Sequence, residues 1–502
     1  MIHYAKAKSY SSSNVFGSYG KVIIRGVTLA VKPSECAHFH SQLLISSISY
    51  PLHALREGKS LLSMTQSLVL HEGPFSLNSM KVFRRCRQDH FASPQLKGFL
   101  AFAIVYLIAI QYFRVVSAPD PSSAFFNVKL GYQRRYTSVR INEAKDFITR
   151  SQSAKSRPKS SSDPSICLAI PTVQRNGTMY LDLLVGSLLD GLSDEERTDI
   201  TILPFIANID AFAHHAYNET WLHTLTDTVF TYENVSVRDK ARMRSQESPD
   251  GHNKKALFDY SYMLRRCLDT NAPYILMLED DIIAADGWYR HTKAAVRELE
   301  TTVEYQTSIY LRLFYNTRIQ GWNSESWPVY LFWSVVFEVL LIGTLRLLCR
   351  SSRAASRFFT PRTTLVILLI CSPACVGLYF AAGRLTVHPN PTGIHQMNGY
   401  GCCSQALLFP RSQVPPMLDY FRKRRIGPRD ELIEKHAELK KLTRWALTPS
   451  VFQHIGSRSS KWRGHGLEDI GEHDGLTGPE RIWNFHFESW NSDQLFHERS
   501  RR

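Results

Sequence analysis

Three apolar stretches constrain this 502-residue chain more than any other feature. They cover residues 98–113 (GFLAFAIVYLIAIQYF, extendable through Val115 and Val116), 328–348 (PVYLFWSVVFEVLLIGTLRLL) and 363–382 (TTLVILLICSPACVGLYFAA). Each approaches the about 20 largely apolar residues that cross a bilayer as a helix; buried core helices are the soluble alternative. Basic residues set the expected orientation. Lys81, Arg84, Arg85, Arg87 and Lys97 precede the first stretch, and Arg350, Arg353, Arg357 and Arg362 separate the second from the third without an intervening acid. Both regions are expected on the cytosolic side, which places the two long polar segments in the lumen. The sequons at Asn176, Asn218 and Asn234 all fall in the first of these segments.

These features imply an order of parts. Residues 1–95 form a cytosolic tail, Ser-rich and largely disordered. A signal anchor spans 96–116 and a stem 117–164. The first part of an α/β domain covers 165–327. A transmembrane hairpin with a basic cytosolic loop covers 328–383, and the second part of the domain 384–502. Met80 opens a short basic stretch before the anchor and reads as a natural start. The formal net charge of +15 is compatible with nucleic acid, an anionic membrane or a nucleotide-type substrate. Zinc-finger spacing and RNA-binding aromatic signatures are lacking, so no nucleic-acid partner is expected. Nine cysteines are too few for a disulfide scaffold in a chain of this length, and they show no CxxC spacing.

Within the polar segments, strands alternate with helices. SICLAI, ended by Pro171, ITILPFI (200–206), DTVFTY, YILML and SIYLRLFY (308–315) read as strands. In the last, Ile309, Leu311 and Leu313 share one face, with Tyr310, Arg312 and Phe314 on the other. YLDLLVGSLLDGL and NKKALFDYSYMLRRCL read as helices. This order predicts a mainly parallel α/β sheet, with ligands beyond the carboxyl ends of its strands. There the stretch APYILMLEDDIIAADGW delivers Glu279, Asp280 and Asp281. Three adjacent carboxylates resist ionising together, and a divalent cation held by hard oxygens removes that difficulty. A solvated acidic turn opening a helix is the plainer alternative.

A strand ending in Glu-x-Asp, in an α/β lumenal domain behind a signal anchor, resembles the GT-A glycosyltransferases, whose acids hold Mn²⁺ against the diphosphate of a nucleotide sugar. LAIPTVQRNGTMY (168–180) and LTPSVFQHIGSRSS (447–460) resemble the N-acetylglucosaminyltransferase IV group. A transmembrane hairpin between YLRLFYNTRIQGW and GCCSQALLFP resembles the Golgi N-acetylgalactosaminyltransferase family that elaborates glycosylphosphatidylinositol (GPI) anchors. That resemblance implies a GT-A fold split by the hairpin and a UDP-sugar donor. It also implies a GPI glycan as acceptor, Mn²⁺ (or Mg²⁺) as cofactor, and a multi-pass Golgi membrane protein with a lumenal catalytic domain.

It further implies roles for particular residues. Glu279, Asp281 and His454 are the expected metal ligands; an ordinary hydrogen-bonded histidine is the alternative for His454. Pro171, Thr172, Arg175 and Asp280 are expected at the nucleotide, with a surface charge the alternative for Arg175. An acidic pair, Asp430 and Glu431, opens the predicted helix GPRDELIEKHAELKKL and supplies the general base of an inverting transfer. A helix-start acid stabilised by the dipole is the alternative there. The segment 390–401 offers glycines for close approach to donor or acceptor, or simply joins membrane to sheet. One of Cys402 and Cys403 is a candidate partner for Cys267 or Cys167, and Glu338 for Arg346. An N-glycan branching enzyme and a non-catalytic receptor or chaperone for GPI-anchored proteins are the competing readings; a transporter would need repeated halves around a midplane site.

Overall fold

The computed structural model describes residues 93–152, 158–175, 179–247, 251–397, 403–457 and 477–500. The expected start at Met80, the tail before it, Asn176 and Cys402 lie outside the described residues. The chain divides into units Met1–Leu100 and Ala101–Arg502. The first is described only over residues 93–100, where helix α1 (Pro94–Val116) opens. All of the described strands belong to the second unit.

The principal elements after α1 are α2 (Arg135–Ser151), β1 (Ile166–Thr172), α3 (Leu181–Leu189), β2 (Ile200–Ile206), β3 (Phe230–Thr231), α4 (His252–Leu268), β4 (Tyr274–Leu278), β5 (Ile282–Ala284), α5 (Trp288–Glu300) and β6 (Ser308–Arg312). Then come α6 (Trp327–Ser351), α7 (Pro361–Ala381), β7 (Gly393–Gln396), β8 (Ala406–Pro410), α8 (Val414–Arg424), α9 (Arg429–Lys440), β9 (Thr443–Thr448) and β10 (Phe452–His454).

Eight strands form one sheet in the order β3-β2-β1-β4-β8-β6-β9-β7, and β5 pairs with β10 in a second. The first half is parallel, as expected. β8 runs antiparallel to both β4 and β6, and β7 antiparallel to β9, so the sheet is mixed where the chain returns from α6 and α7. The sheet is covered on both sides. Ile166, Leu168 and Ile170 of β1 and Leu276 of β4 pack with α2, α3 and α5. Cys167, Ala169, Ile275 and Met277 pack with α4, α8 and α9. Burial on both faces explains why these strands read as continuous apolar runs.

Several expectations change. β1 runs through Pro171 to Thr172; Pro171 lies beyond the last β1–β4 pair, Ala169↔Met277, where one side of the strand is open and a missing N–H is tolerated. β6 ends at Arg312, and a register irregularity between Ser308 and Tyr310 puts Ile309 and Tyr310 into the same core, against the expected alternation. Cys167 pairs with Cys267, Cα atoms 5.7 Å apart, tying β1 to α4. Neither is therefore available to Cys402 or Cys403, and Cys403 is itself disulfide-bonded.

Helices α1, α6 and α7 are long and apolar enough to cross a membrane. Their side chains face outward: Leu107, Ile108, Leu340, Leu347, Leu369 and Ile370 are all exposed. Such continuous apolar surface suits a bilayer better than water. Glu338, inside α6, accepts a hydrogen bond from Ser372 Oγ of α7 instead of meeting Arg346. The helices are stitched together where they join the α/β domain. Ala124 N and Ser123 Oγ, after α1, donate to Ala381 O at the end of α7 at 2.8 and 2.9 Å. Trp322 Nε1, before α6, donates to Phe380 O at 3.0 Å. Gly383 is required here: its φ is +89°, and a Cβ would lie 2.4 Å from Asp120 Oδ2.

Leu408 sits mid-strand in β8, buried between Leu276 and Leu311. Leu408→Ala should cost about 2–5 kcal/mol, whereas Leu439→Ala on the exposed side of α9 should cost little. Thermal unfolding of the purified full-length protein distinguishes the two; equal midpoints would contradict the central place of β8.

Candidate functional site

The acids lie between β4 and β5, where the chain leaves the large sheet for the small one. Glu279 N still donates to Gln405 O at 2.9 Å, extending the β4–β8 ladder. Two residues later Ile455 N donates to Asp281 O at 2.9 Å, and His454 pairs across from Ile282. Successive acids are thus handed to different neighbours.

Glu279 turns toward the segments that follow α7. Its Oε1 accepts from Ser404 Oγ at 2.6 Å and meets Arg429 Nη2 at 3.2 Å. Asp280 is buried. It accepts from Thr172 Oγ1 at 2.6 Å, at the carboxyl end of β1, and from Arg175 Nη2 at 2.6 Å. Asp281, also buried, lies 3.2 Å from the same Arg175 nitrogen and 3.5 Å from His454 Nε2. Arg175 therefore sits between two carboxylates rather than on the surface, and its guanidinium stacks over Tyr180 at 5.1 Å. Burial raises the Asp280 carboxyl; Arg175 opposes that and Asp281 adds to it. Burial would also raise Asp281, but Arg175 and His454 outweigh it and hold that carboxyl below the usual carboxylate range.

Sequence reasoning missed His214, the first of two adjacent histidines in the loop after β2. It is buried and reaches Thr172 Oγ1 with Nε2 at 3.0 Å. Its Nδ1 accepts from Ala216 N at 3.2 Å, so Nε2 carries the proton and donates to Thr172, whose hydroxyl in turn donates to Asp280. Burial, with His215 and Arg175 adding, lowers the His214 pKa to about 4 and keeps the ring neutral. Also missed were Ser404, Arg429 and Gly456. Only the position of Gly456 in FQHIG hinted at a role: a Cβ there would lie 2.5 Å from Asp281 Oδ2 and 2.8 Å from His454 Nε2. Tyr180 holds the next residue, accepting from Ser457 N at 2.9 Å.

Asp281 and His454 suit a divalent cation. A carboxylate and an imidazole face one another beside a corner that glycine keeps clear, and among the described residues Asp281 Oδ1 and His454 Nδ1 are buried without a hydrogen-bond partner. Among the described residues no three His, Cys, Asp or Glu side chains converge as a metal cage, and the Glu279 contacts lead away from this pair. Any remaining ligands would come from substrate or water. Arg175 Nε and Nη1, buried and without partners, are donors available to an anion. Pro171 lies half-buried on β1 opposite Phe205. Asp430 and Glu431 stand in the first turn of α9, brought to the acids by Arg429. Glu431 is exposed and paired with Lys435 at 2.8 Å, while Asp430 is half-buried.

The neutral His214 gives a measurable pH signature. Its folded pKa is depressed below the unfolded value near 6.5, so its contribution is present above that pH and is lost as pH falls toward 4. The loss is on the order of 3 kcal/mol. His214→Gln retains a donor and cannot titrate. Its midpoint of thermal unfolding should fall less steeply between pH 6.5 and 4 than that of the wild type. Parallel curves would contradict a neutral, buried His214.

Comparison with known proteins gives two findings. The model of the family described as GPI-N-acetylgalactosamine transferase PGAP4 matches residues 166–453, more than half of the chain; it takes in β1 through β9 and the three acids and stops one residue before His454. A relative from Xenopus tropicalis, alpha-1,3-mannosyl-glycoprotein 4-beta-N-acetylglucosaminyltransferase A, is 25% identical over 152 residues, 27% of this chain. The match spans 27% of that relative's length.

Proposed function

Because the chain belongs to the GPI-N-acetylgalactosamine transferase PGAP4 family, glycosyltransferases that act on GPI anchors, we propose that it transfers N-acetylgalactosamine from the UDP-sugar to the GPI glycan in the Golgi. The observation that carries this reading is the Asp281–His454 pair beside a buried Arg175 with two unpartnered nitrogens, at the carboxyl ends of β1 and β4. A diphosphate needs cationic partners, and this is where an α/β sheet receives its ligand. We read the domain as a GT-A fold interrupted by α6 and α7. The parts 165–327 and 384–502 would be lumenal, with the hairpin 328–383, the anchor 96–116, the stem 117–164 and the cytosolic tail 1–95 as expected from the sequence.

In this reading Asp281 and His454 hold Mn²⁺ (or Mg²⁺), which when bound offsets charge on the departing UDP. Arg175 donates to the diphosphate from Nε and Nη1. Asp280, fixed by Thr172 and His214, meets the nucleotide, with Pro171 alongside. Asp430 takes the proton of the acceptor hydroxyl. The hydroxyl oxygen bonds to the anomeric carbon as the bond to UDP breaks, and UDP leaves with the electron pair. Glu431, held by Lys435, is the less suited of the two acids. Glu279 positions Ser404 and Arg429, and through Arg429 the turn that carries Asp430.

N-glycan branching is the second reading, favoured by the Xenopus relative; the pair of apolar helices inside the matched region weighs against it.

The test is UDP release by the full-length protein in detergent, with UDP-N-acetylgalactosamine and a GPI-anchored acceptor. Release should need divalent metal and stop with a chelator. Asp281→Asn should lower turnover by at least about 10²-fold, since several kcal/mol of charge stabilisation are lost. His454→Ala should mainly raise the Mn²⁺ concentration required. Asp430→Asn should cost about 10²–10⁴-fold. Glu279→Gln should slow turnover without shifting the Mn²⁺ requirement. Wild-type turnover by Asp281→Asn without added metal would sink the assignment.

A further inference from the structure

A second polar cluster lies apart from the acids, where the three apolar helices join the α/β domain. Arg384 stands just beyond the end of α7. Its Nη1 donates to Gln320 O at 3.0 Å and to Asn390 Oδ1 at 3.3 Å. Among the described residues no carboxylate forms an ion pair with it. The nearby Asp120 carboxylate, after α1, is already engaged by Thr386 N and Thr386 Oγ1 at 2.8 and 3.0 Å and by Ser122.

Two histidines lie in this cluster, His395 close to Arg384 and His486 close to His395 and Asp120. His395, on β7, packs edge-on to Tyr315 at 6.0 Å, and burial, with His486 and Arg384 adding, lowers its pKa to about 4. Burial also lowers the His486 pKa, with Asp120 opposing. Both rings are therefore neutral near pH 7, each with one donor and one acceptor nitrogen. Among the described residues His395 Nδ1 and His486 Nε2 have no hydrogen-bond partner, nor does Nε2 of Gln320, a side chain only 8% exposed. Buried polar atoms are rarely left this way unless something else meets them.

We propose that this cluster, with Arg384 at its centre and His395, His486 and Gln320 around it, binds the phosphate of an inositol phospholipid headgroup. A guanidinium with no carboxylate partner among the described residues, beside neutral donors, suits a phosphodiester, which arginine meets with its planar fork. The position is where a lipid presents that group, since α1, α6 and α7 all end or begin within the hydrogen-bonded knot that holds Arg384. The cluster is joined to the first site by Asn484. Its Nδ2 donates to Tyr315 O at 2.8 Å, and its carbonyl accepts from Gln453 Nε2 at 2.8 Å, next to His454. A lipid-borne glycan gripped here by its phosphate would extend toward the acids. This deepens the reading of a GPI acceptor and rests on it; the phosphate belongs either to that acceptor or to bulk phospholipid.

The experiment uses the full-length protein in phosphatidylcholine nanodiscs. Arg384→Gln should raise KM for a GPI-anchored acceptor about tenfold, the weight of one charged hydrogen-bonded contact, and leave KM for the donor and acceptor-independent UDP release unchanged. Arg384→Lys, which keeps the charge but not the fork, should recover only part of the loss. Phosphatidylinositol added to the nanodisc should raise the unfolding midpoint and compete with the acceptor in the wild type but not in Arg384→Gln. Equal effects of phosphatidylinositol and of extra phosphatidylcholine would assign the phosphate to bulk lipid and overturn the acceptor role. An Arg384→Gln protein with wild-type acceptor KM and wild-type response to phosphatidylinositol would overturn the proposal altogether. If instead the wild type used no GPI acceptor yet responded to phosphatidylinositol through Arg384, the functional reading would fail and the lipid site would stand.

Discussion

The structure depends on one strand pairing. β4 carries the acids at its end, and its neighbour β8 arrives only after the chain has left the domain through α6 and returned through α7. The antiparallel ladder from Tyr274↔Pro410 to Leu278↔Ala406 closes the sheet across that excursion. It does so at the centre of the sheet, where both faces are buried and an unpaired edge would leave backbone groups unsatisfied. The same ladder runs on into the site through Glu279 N and Gln405 O, and Ser404 on the returning segment binds the Glu279 carboxylate. The two halves of the domain and the acidic segment are therefore fixed together. A chain interrupted by two long apolar helices keeps a defined site because β4, the last strand before the acids, and β8, on the returning segment, form one ladder.

Burial of charge is the second constraint. Asp280 and Asp281 lie side by side away from water, and Arg175 stands against both. Without a cation two such carboxylates would not remain ionised together. Arg175 meets part of that demand and leaves Asp281 Oδ1 unpartnered. His214, neutral and donating, adds direction without adding charge: it sets Thr172, and Thr172 sets Asp280. The site is a chain of oriented groups with electrostatic demand left over at Asp281 Oδ1 and at Arg175 Nε and Nη1 among the described residues.

Much of this is legible in the sequence where local physics decides the outcome. β2 and β4 match their apolar runs residue for residue, because a strand buried on both faces admits nothing else. The three apolar helices are plain from length and composition. The failures arise where distant contacts decide. Pro171 reads as a strand end, but the sheet is open on one side there. Glu279 and Asp281 group together in sequence because residues two apart on a strand share a face; the chain leaves β4 at Leu278, so that alternation does not extend to them. Cys167 and Cys267 are separated by 100 residues and meet only because β1 packs on α4. His214, Ser404 and Arg429 carry no local signature. They matter because the loop after β2, the segment leading into β8 and the start of α9 converge on the acids.

The central claim is that these groups transfer a sugar to GPI anchors, and the product tests it most directly. GPI glycans released from cells lacking this protein, then supplied with either the wild type or Asp281→Asn at equal abundance, can be weighed by mass spectrometry. The account predicts a GPI species heavier by one N-acetylhexosamine with the wild type and none with Asp281→Asn. The same glycan masses in both cell lines would contradict it.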